Sequence, residues 1–151
     1  MNRMMKNAVC LVLLFALTVF CCAGAAEGTV VASGSCGTGV TWALDDAGTL
    51  TISGSGEMTS SPWLEYAEQI QSAVIKDGVT SIALCAFDGC ENLASVSIPD
   101  SITAIHGGAF RGCFALITVD LPDGLGYIDE ETFSGCKNLT SIALQIGRAH
   151  V

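Results

Sequence analysis

Ala86-Phe87-Asp88-Gly89-Cys90-Glu91-Asn92-Leu93-Ala94-Ser95-Val96-Ser97-Ile98-Pro99-Asp100-Ser101-Ile102-Thr103-Ala104-Ile105 has its pattern of apolar, glycine, cysteine and proline positions repeated 23 residues later. Phe87, Phe110 and Phe133 share that spacing, as do Cys90, Cys113 and Cys136, and Leu93, Leu116 and Leu139. Val96, Val119 and Ile142 follow, then Ile98, Leu121 and Leu144. Pro99 with Pro122, Ile102 with Leu125, and Ile105 with Ile128 keep the register. Upstream, Ile70, Ala73, Ile75, Val79 and Ile82 fit the same frame as a partial first unit. A fixed period of this length marks a solenoid. One unit cannot bury its own apolar face, and stacked units share a continuous core.

Within a unit, Leu93-x-x-Val96-x-Ile98 has strand spacing, with Val96 and Ile98 on one side. Pro99 or Pro122 ends the strand because proline has no N–H for a ladder. Ile102-x-x-Ile105 reads as a return segment, and the stretch around Phe110 as a short helical turn that closes the coil with the ring inside. The structural ladder is then Phe87, Phe110 and Phe133 beside Cys90, Cys113 and Cys136. Stacked buried thiols act as small apolar groups with weak donors. A spacing of 23 is not the C-x-x-C spacing of metal sites.

These residues resemble the BspA-like leucine-rich repeat, whose pattern AF-x-G-C-x-x-L-x-x-V-x-I-P-x-x-I-x-x-I runs here from about Ile70 to Leu144. The resemblance implies a secreted or surface-displayed bacterial protein whose solenoid binds other macromolecules, with no catalytic residues. The expected fold is a β-rich leucine-rich-repeat solenoid of 23-residue units, with parallel strands and short helical turns, behind an N-terminal β-hairpin cap.

The cap is read over residues 27–66 and the repeats over 67–144. Val40, Trp42 and Leu44 alternate, Asp45-Asp46-Ala47-Gly48 turns, and Leu50 and Ile52 alternate again, which is a hairpin signature. Ser-Gly-x-Cys-Gly with the following Val-Thr-Trp and Gly-Thr-Leu-Thr-Ile-Ser-Gly also resembles the leader found ahead of such repeats. A first coil exposes apolar edge unless something covers it. Trp63, Leu64 and Tyr66 are the expected contacts between cap and repeats, with sugar stacking by Trp42 and Trp63 as the other use of such rings.

Met1-Asn2-Arg3-Met4-Met5-Lys6-Asn7, an uncharged apolar run to Cys22, and Ala23-Gly24-Ala25-Ala26 form the parts of a signal peptide over residues 1–26. The run is short for a membrane span, which needs roughly 20 residues. Of 151 residues, 6 are Lys or Arg and 15 are Asp or Glu, for a net charge of -9. Cleavage would remove Arg3 and Lys6 and no acid, leaving 4 minus 15, or -11. Such a surface opposes nucleic acid and anionic lipid. Five cysteines would remain, Cys36, Cys85, Cys90, Cys113 and Cys136, an odd count that does not make a complete disulfide framework. Cys36 and Cys85, off the ladder, are the only plausible disulfide pair.

Gly54-Ser55-Gly56 is a turn, since a nucleophile elbow needs G-x-S-x-G. No Walker or dinucleotide glycine loop occurs. His106 reads as a solvated loop histidine with Asp129 as its counterpart one unit on, and Asp129-Glu130-Glu131 as a solvated face. Asn138-Leu139-Thr140 is a sequon by pattern, of little meaning in a bacterium. No cofactor, metal or catalytic residue is expected.

The expected function is therefore a secreted or cell-surface module for protein binding or adhesion. Its partner is an extracellular protein or other macromolecule, with no nucleic acid and no membrane after signal cleavage. The partner-facing residues are the strand positions that alternate with the buried ones: Ser95, Ser97, Thr118, Asp120, Ser141 and Ala143. The alternatives are the first part of a larger exported enzyme, a hydrolase, and a structural wall-coat protein. The last residues, 145–151, break the register: Gln145 stands where Pro99 and Pro122 predict proline, and Arg148 where Ile102 and Leu125 predict an apolar residue. They resemble a translated short-read sequencing adapter and are expected to be a non-native tail.

Overall fold

The computed structural model describes residues 28–144. The expected signal peptide and the expected non-native tail lie outside the described residues. The described chain opens with an antiparallel meander of β1 (Val30–Gly37), β2 (Val40–Asp45) and β3 (Thr49–Gly54). Val40, Trp42 and Leu44 on β2 alternate inward and meet Leu50 and Ile52 of β3, all buried. Asp45 Oδ1 closes the intervening turn by accepting the Ala47 and Thr49 amides at 3.0 and 2.7 Å. That carboxylate replaces the ladder partners the backbone lacks in a turn.

From β3 onward the chain coils. Next come β4 (Gly56–Glu57), a kinked 3-10 helix (Pro62–Gln69), β5 (Ser72–Ile75) and β6 (Val79–Ile82). Then follow β7 (Ser95–Ser97), β8 (Ala104–Ile105), β9 (Thr118–Leu121), β10 (Tyr127–Ile128) and β11 (Ser141–Leu144). One sheet runs β1-β2-β3-β5-β7, with β9 against β7 and β11 paired on β9. A second sheet, β4-β6-β8-β10, forms the return wall, so the return segment is itself a strand. All pairings from β3 onward are parallel.

The registers carry the repeat into space. Thr49 pairs with Ser72, Ser72 with Ser95 and Thr118 with Ser141 in one wall. Gly56 pairs with Val79, Ser81 with Ala104 and Ala104 with Tyr127 in the other. Each step is 23 residues, so each residue sits beside its own equivalent. The spacing holds as far upstream as β3, which makes the segment β3 to the 3-10 helix a coil in its own right. The hairpin of β1 and β2 is what lies over its edge.

The corner of each coil is a run of i→i+3 turns rather than continuous helix. The N–H groups of Ala86, Asp88 and Cys90 bond locally, to the carbonyls of Ala83, Cys85 and Phe87. Those of Cys85, Phe87 and Gly89 instead donate to Gly107, Ala109 and Arg111 of the next coil, at 3.1, 2.7 and 2.8 Å. Helix would consume the donors that join coil to coil. Gly89, Gly112 and Gly135 hold φ of 72°, 71° and 76°, where glycine carries no Cβ penalty.

The core is a column. The Phe87 and Phe110 rings stack at 5.2 Å and those of Phe110 and Phe133 at 5.5 Å, each pair within 3° of parallel. Trp63 extends the column upstream, 5.9 Å from Phe87 and 6.0 Å from Trp42. Its Nε1 donates to the Ala86 carbonyl at 2.7 Å, which satisfies the one polar atom of a fully buried ring. Trp42 and Trp63 are 5% and 0% exposed, so neither can stack on a sugar.

Candidate functional site

The exposed face of the main sheet follows from strand geometry. Side chains alternate along a strand. On β9, Val119 and Leu121 are buried while Thr118 and Asp120 are exposed. Ser95 and Ser97 on β7 and Ser141 and Ala143 on β11 are also exposed. Parallel register sets them in two rows. Thr49, Ser72 and Ser95 stand side by side in one, as do Thr51, Val74 and Ser97 in the other. Thr118 beside Ser141 and Asp120 beside Ala143 continue the pattern. The rows therefore reach back onto β3 and β5, positions that sequence reasoning did not assign. Subtracting 23 from Ser72 would have found Thr49.

This face carries small side chains, mostly Ser and Thr with Val74 and Ala143 among them, and Asp120 as its acid. Leu84, Ile117 and Tyr127, three of the exposed large apolar side chains, lie outside these two rows. Two depressions among the described residues are shallow. One of about 310 Å³ is lined by the 3-10 helix residues Leu64 to Gln69 with Gly89, and one of about 380 Å³ by Val31, Asp45, Asp46, Gly48, Gln69 and Gln71. Neither holds a histidine, serine or cysteine.

The ladder cysteines sit inside the corners. Cys90 and Cys113 are fully buried and Cys136 is half-buried. Cys113 Sγ donates to the Phe87 carbonyl at 3.2 Å, and Cys136 Sγ to the Phe110 carbonyl at 3.1 Å. Burial pushes the Cys90 thiol up to about 12, with Asp88 adding to the shift. Cys113 and Cys136 are raised first by burial as well. A thiol held protonated is a poor nucleophile and a poor metal ligand. Cys36 is buried and raised to about 11 by desolvation. All five described cysteines are free thiols, Cys36 and Cys85 included.

Charged side chains pair across coils rather than converge. Arg111 donates through Nε and Nη2 to the Asp88 carboxylate, the first of these at 3.0 Å, and lies 3.6 Å from Glu131. The hydrogen bond to Asp88, reinforced by its charge, raises the guanidinium pKa. His106 Nδ1 stands 3.6 Å from Asp129, its equivalent one coil on, and its ring meets Tyr127 edge to face. Sequence reasoning placed His106 and the 129–131 run as solvated groups without seeing these pairs. Equivalence at 23 residues was the signal. Among the described residues no group of three His, Cys, Asp or Glu side chains is placed to hold a metal ion. Among them, too, no helix is long and apolar enough to cross a membrane.

A parallel β-solenoid with 23-residue coils and antiparallel N-terminal strands defines a leucine-rich repeat protein. The chain belongs to the BspA type: residues 61–148 match the family described as BspA type Leucine rich repeat region (6 copies). No curated protein matches the sequence. Among solved structures, a leucine-rich repeat protein from Eubacterium ventriosum superposes with a TM-score of 0.55 at 20% identity, over 76% of this chain and 44% of that one. Another, from Bacteroides capillosus, gives 0.53 at 19% identity, over 78% of this chain and 99% of that one. The chain thus spans less than half of the first relative and nearly all of the second. At these identities the likeness is one of fold.

Proposed function

We propose that this chain is a secreted or cell-surface module that binds other macromolecules, extracellular proteins first among them, and carries no catalysis of its own. The observation that supports this reading is the exposed strand face. Ser95, Ser97, Thr118, Asp120 and Ser141 project from a backbone locked in parallel register, with small side chains that leave the sheet open to a partner's surface. Rigid platforms bind without first ordering themselves, which removes one cost of association. The face has no aromatic anchor, so binding energy comes from many small contacts rather than one hot spot.

The test is a panel of immobilised extracellular proteins, read by surface plasmon resonance with the full chain. Ser97→Arg combined with Asp120→Arg is expected to weaken any binding found by at least about tenfold, or 1.4 kcal/mol. Thr103→Arg, an exposed position outside this face, should leave it unchanged. Equal loss in both variants, or a panel without a binder, counts against the reading. Fractionation of expressing bacteria tests the address, and recovery in the cytoplasm would contradict it.

A further inference from the structure

The exposed face of the main sheet is bordered by acid. Asp77, Asp100 and Asp123 recur at the 23-residue period in the turn that leads from the main sheet to the return wall, and all three are exposed. The turns stack as the coils do. Gly78 donates its N–H to Ser101 Oγ at 3.1 Å, and a Cβ on Gly124 would stand 3.7 Å from the Asp100 carbonyl. Neighbouring strands lie about 4.8 Å apart, so the aspartates form a column along the solenoid. Asp120 is on the face itself, exposed and beside Ala143. Like charges on adjacent strands repel, and the fold does not neutralise these. Among the described residues the ion pairs use Asp88, Asp129 and Glu131, and Asp77, Asp100 and Asp120 make none. Of the described cations, Arg111 is held by Asp88 and Glu131, and Lys137 lies over the Phe114 ring at 4.3 Å. Lys76, directly after β5, is the cation that remains at this border.

We propose that the strand face and its acidic border dock an extended basic segment of an extracellular protein, with Lys or Arg side chains on Asp77, Asp100 and Asp120. The inference rests on the binding function proposed above and names the chemistry of its partner. Charge complementarity selects the occupant, because nucleic acid and anionic lipid carry the sign of the border and are repelled. Small neighbours such as Thr118, Ser141 and Ala143 let a second backbone come close, which leaves the carboxylates as the groups that discriminate. In an extended chain every second side chain shares a face, so a segment with alternate basic residues turns all of them toward the column.

The probe is an alternating Lys-Ser peptide of about eight residues, blocked at both ends, with a Gln-Ser peptide of the same length as reference. Titration calorimetry on the full chain is expected to show the Lys-Ser peptide binding at least about tenfold more tightly. The advantage should shrink as NaCl rises from about 50 to about 300 mM. Asp77→Asn, Asp100→Asn and Asp120→Asn combined should remove most of it, and should melt no lower than the parent because repulsion between coils is relieved. Glu57→Gln, Glu65→Gln and Glu130→Gln combined take the same charge from exposed positions elsewhere and should leave it nearly intact. Equal loss in the two variants would reduce the effect to net charge and overturn the proposal, as would equal affinity for the two peptides. The binding function fails separately. A panel protein lost by the Ser97→Arg and Asp120→Arg chain, yet held at full affinity by the asparagine variant, would show that the face binds but that its partner is not basic.

Discussion

Phe110 stands between two equivalent rings and is fully buried, while Phe133 has a neighbour on one side. Truncating a buried phenylalanine removes transfer energy and leaves a cavity. Phe110→Ala should cost about 3–5 kcal/mol in urea unfolding, enough to melt a stack this short. Phe133→Ala should cost less than half as much, and Ser97→Ala almost nothing. Equal losses at Phe110 and Ser97 would refute the buried column. The thiols make a second prediction. The folded chain holds the Cys90 proton up to about 12, above the ordinary value of 9.0. The stability linked to that proton is complete below pH 9 and falls as pH climbs toward 12. Unfolding midpoints measured from pH 8 to 11 should decline, and Cys90→Ala should decline less steeply. Parallel slopes would show that the thiol does not contribute. In native chain Cys90 and Cys113 should react with iodoacetamide far more slowly than Cys136, as their burial requires.

At the scale of the element, the corner explains two unusual backbones. Cys85, Gly108 and Glu131 share one repeat position and all take positive φ, at 52°, 63° and 59°. Only glycine does so without crowding its Cβ, and the left-handed region costs other residues about 1–2 kcal/mol. Glu131→Gly should therefore raise stability by up to about 1 kcal/mol in thermal melts, even though it removes the exposed contact with Arg111. Gly108→Ala should lower it, since the added Cβ would meet Cys85 Sγ at 3.4 Å in a strained backbone. The position needs left-handed backbone because the chain must turn while its neighbouring N–H groups point along the stack. A glycine at 108 alone hinted at this; Cys85 and Glu131 hid it.

For the whole molecule, nearest-neighbour stacking implies a gradient. Interior coils have two interfaces and the last described coil has one. Hydrogen exchange should be slowest for amides of β5, β7 and the turns at Phe87 and Phe110, and fastest for β10 and β11. Uniform protection from β3 to β11 would mean a single cooperative unit. The period of 23, the inward Phe, Cys and Leu, the parallel strands and the solvent-facing Ser95, Ser97, Thr118, Asp120 and Ser141 were all readable from residue spacing. A stacked repeat makes that reading reliable, because equivalent residues become neighbours and one pattern sets every interface. Other features appeared only in three dimensions. The coil from β3 to the 3-10 helix was hidden because Trp63 and Ala67 stand one step from where Phe and at where Cys occur later, and its membership rests on Thr49 pairing with Ser72. β1 was hidden because Val-Val-Ala-Ser-Gly-Ser-Cys-Gly has weak alternation, and it is a strand through its ladder with β2. The Arg111–Asp88 and His106–Asp129 pairs needed the stack itself, since side chains 23 residues apart touch only after the intervening chain has made one full turn. Periodicity is a property of the chain and survives in the sequence; a contact between coils depends on their pitch and on which backbone donors are left free to join them.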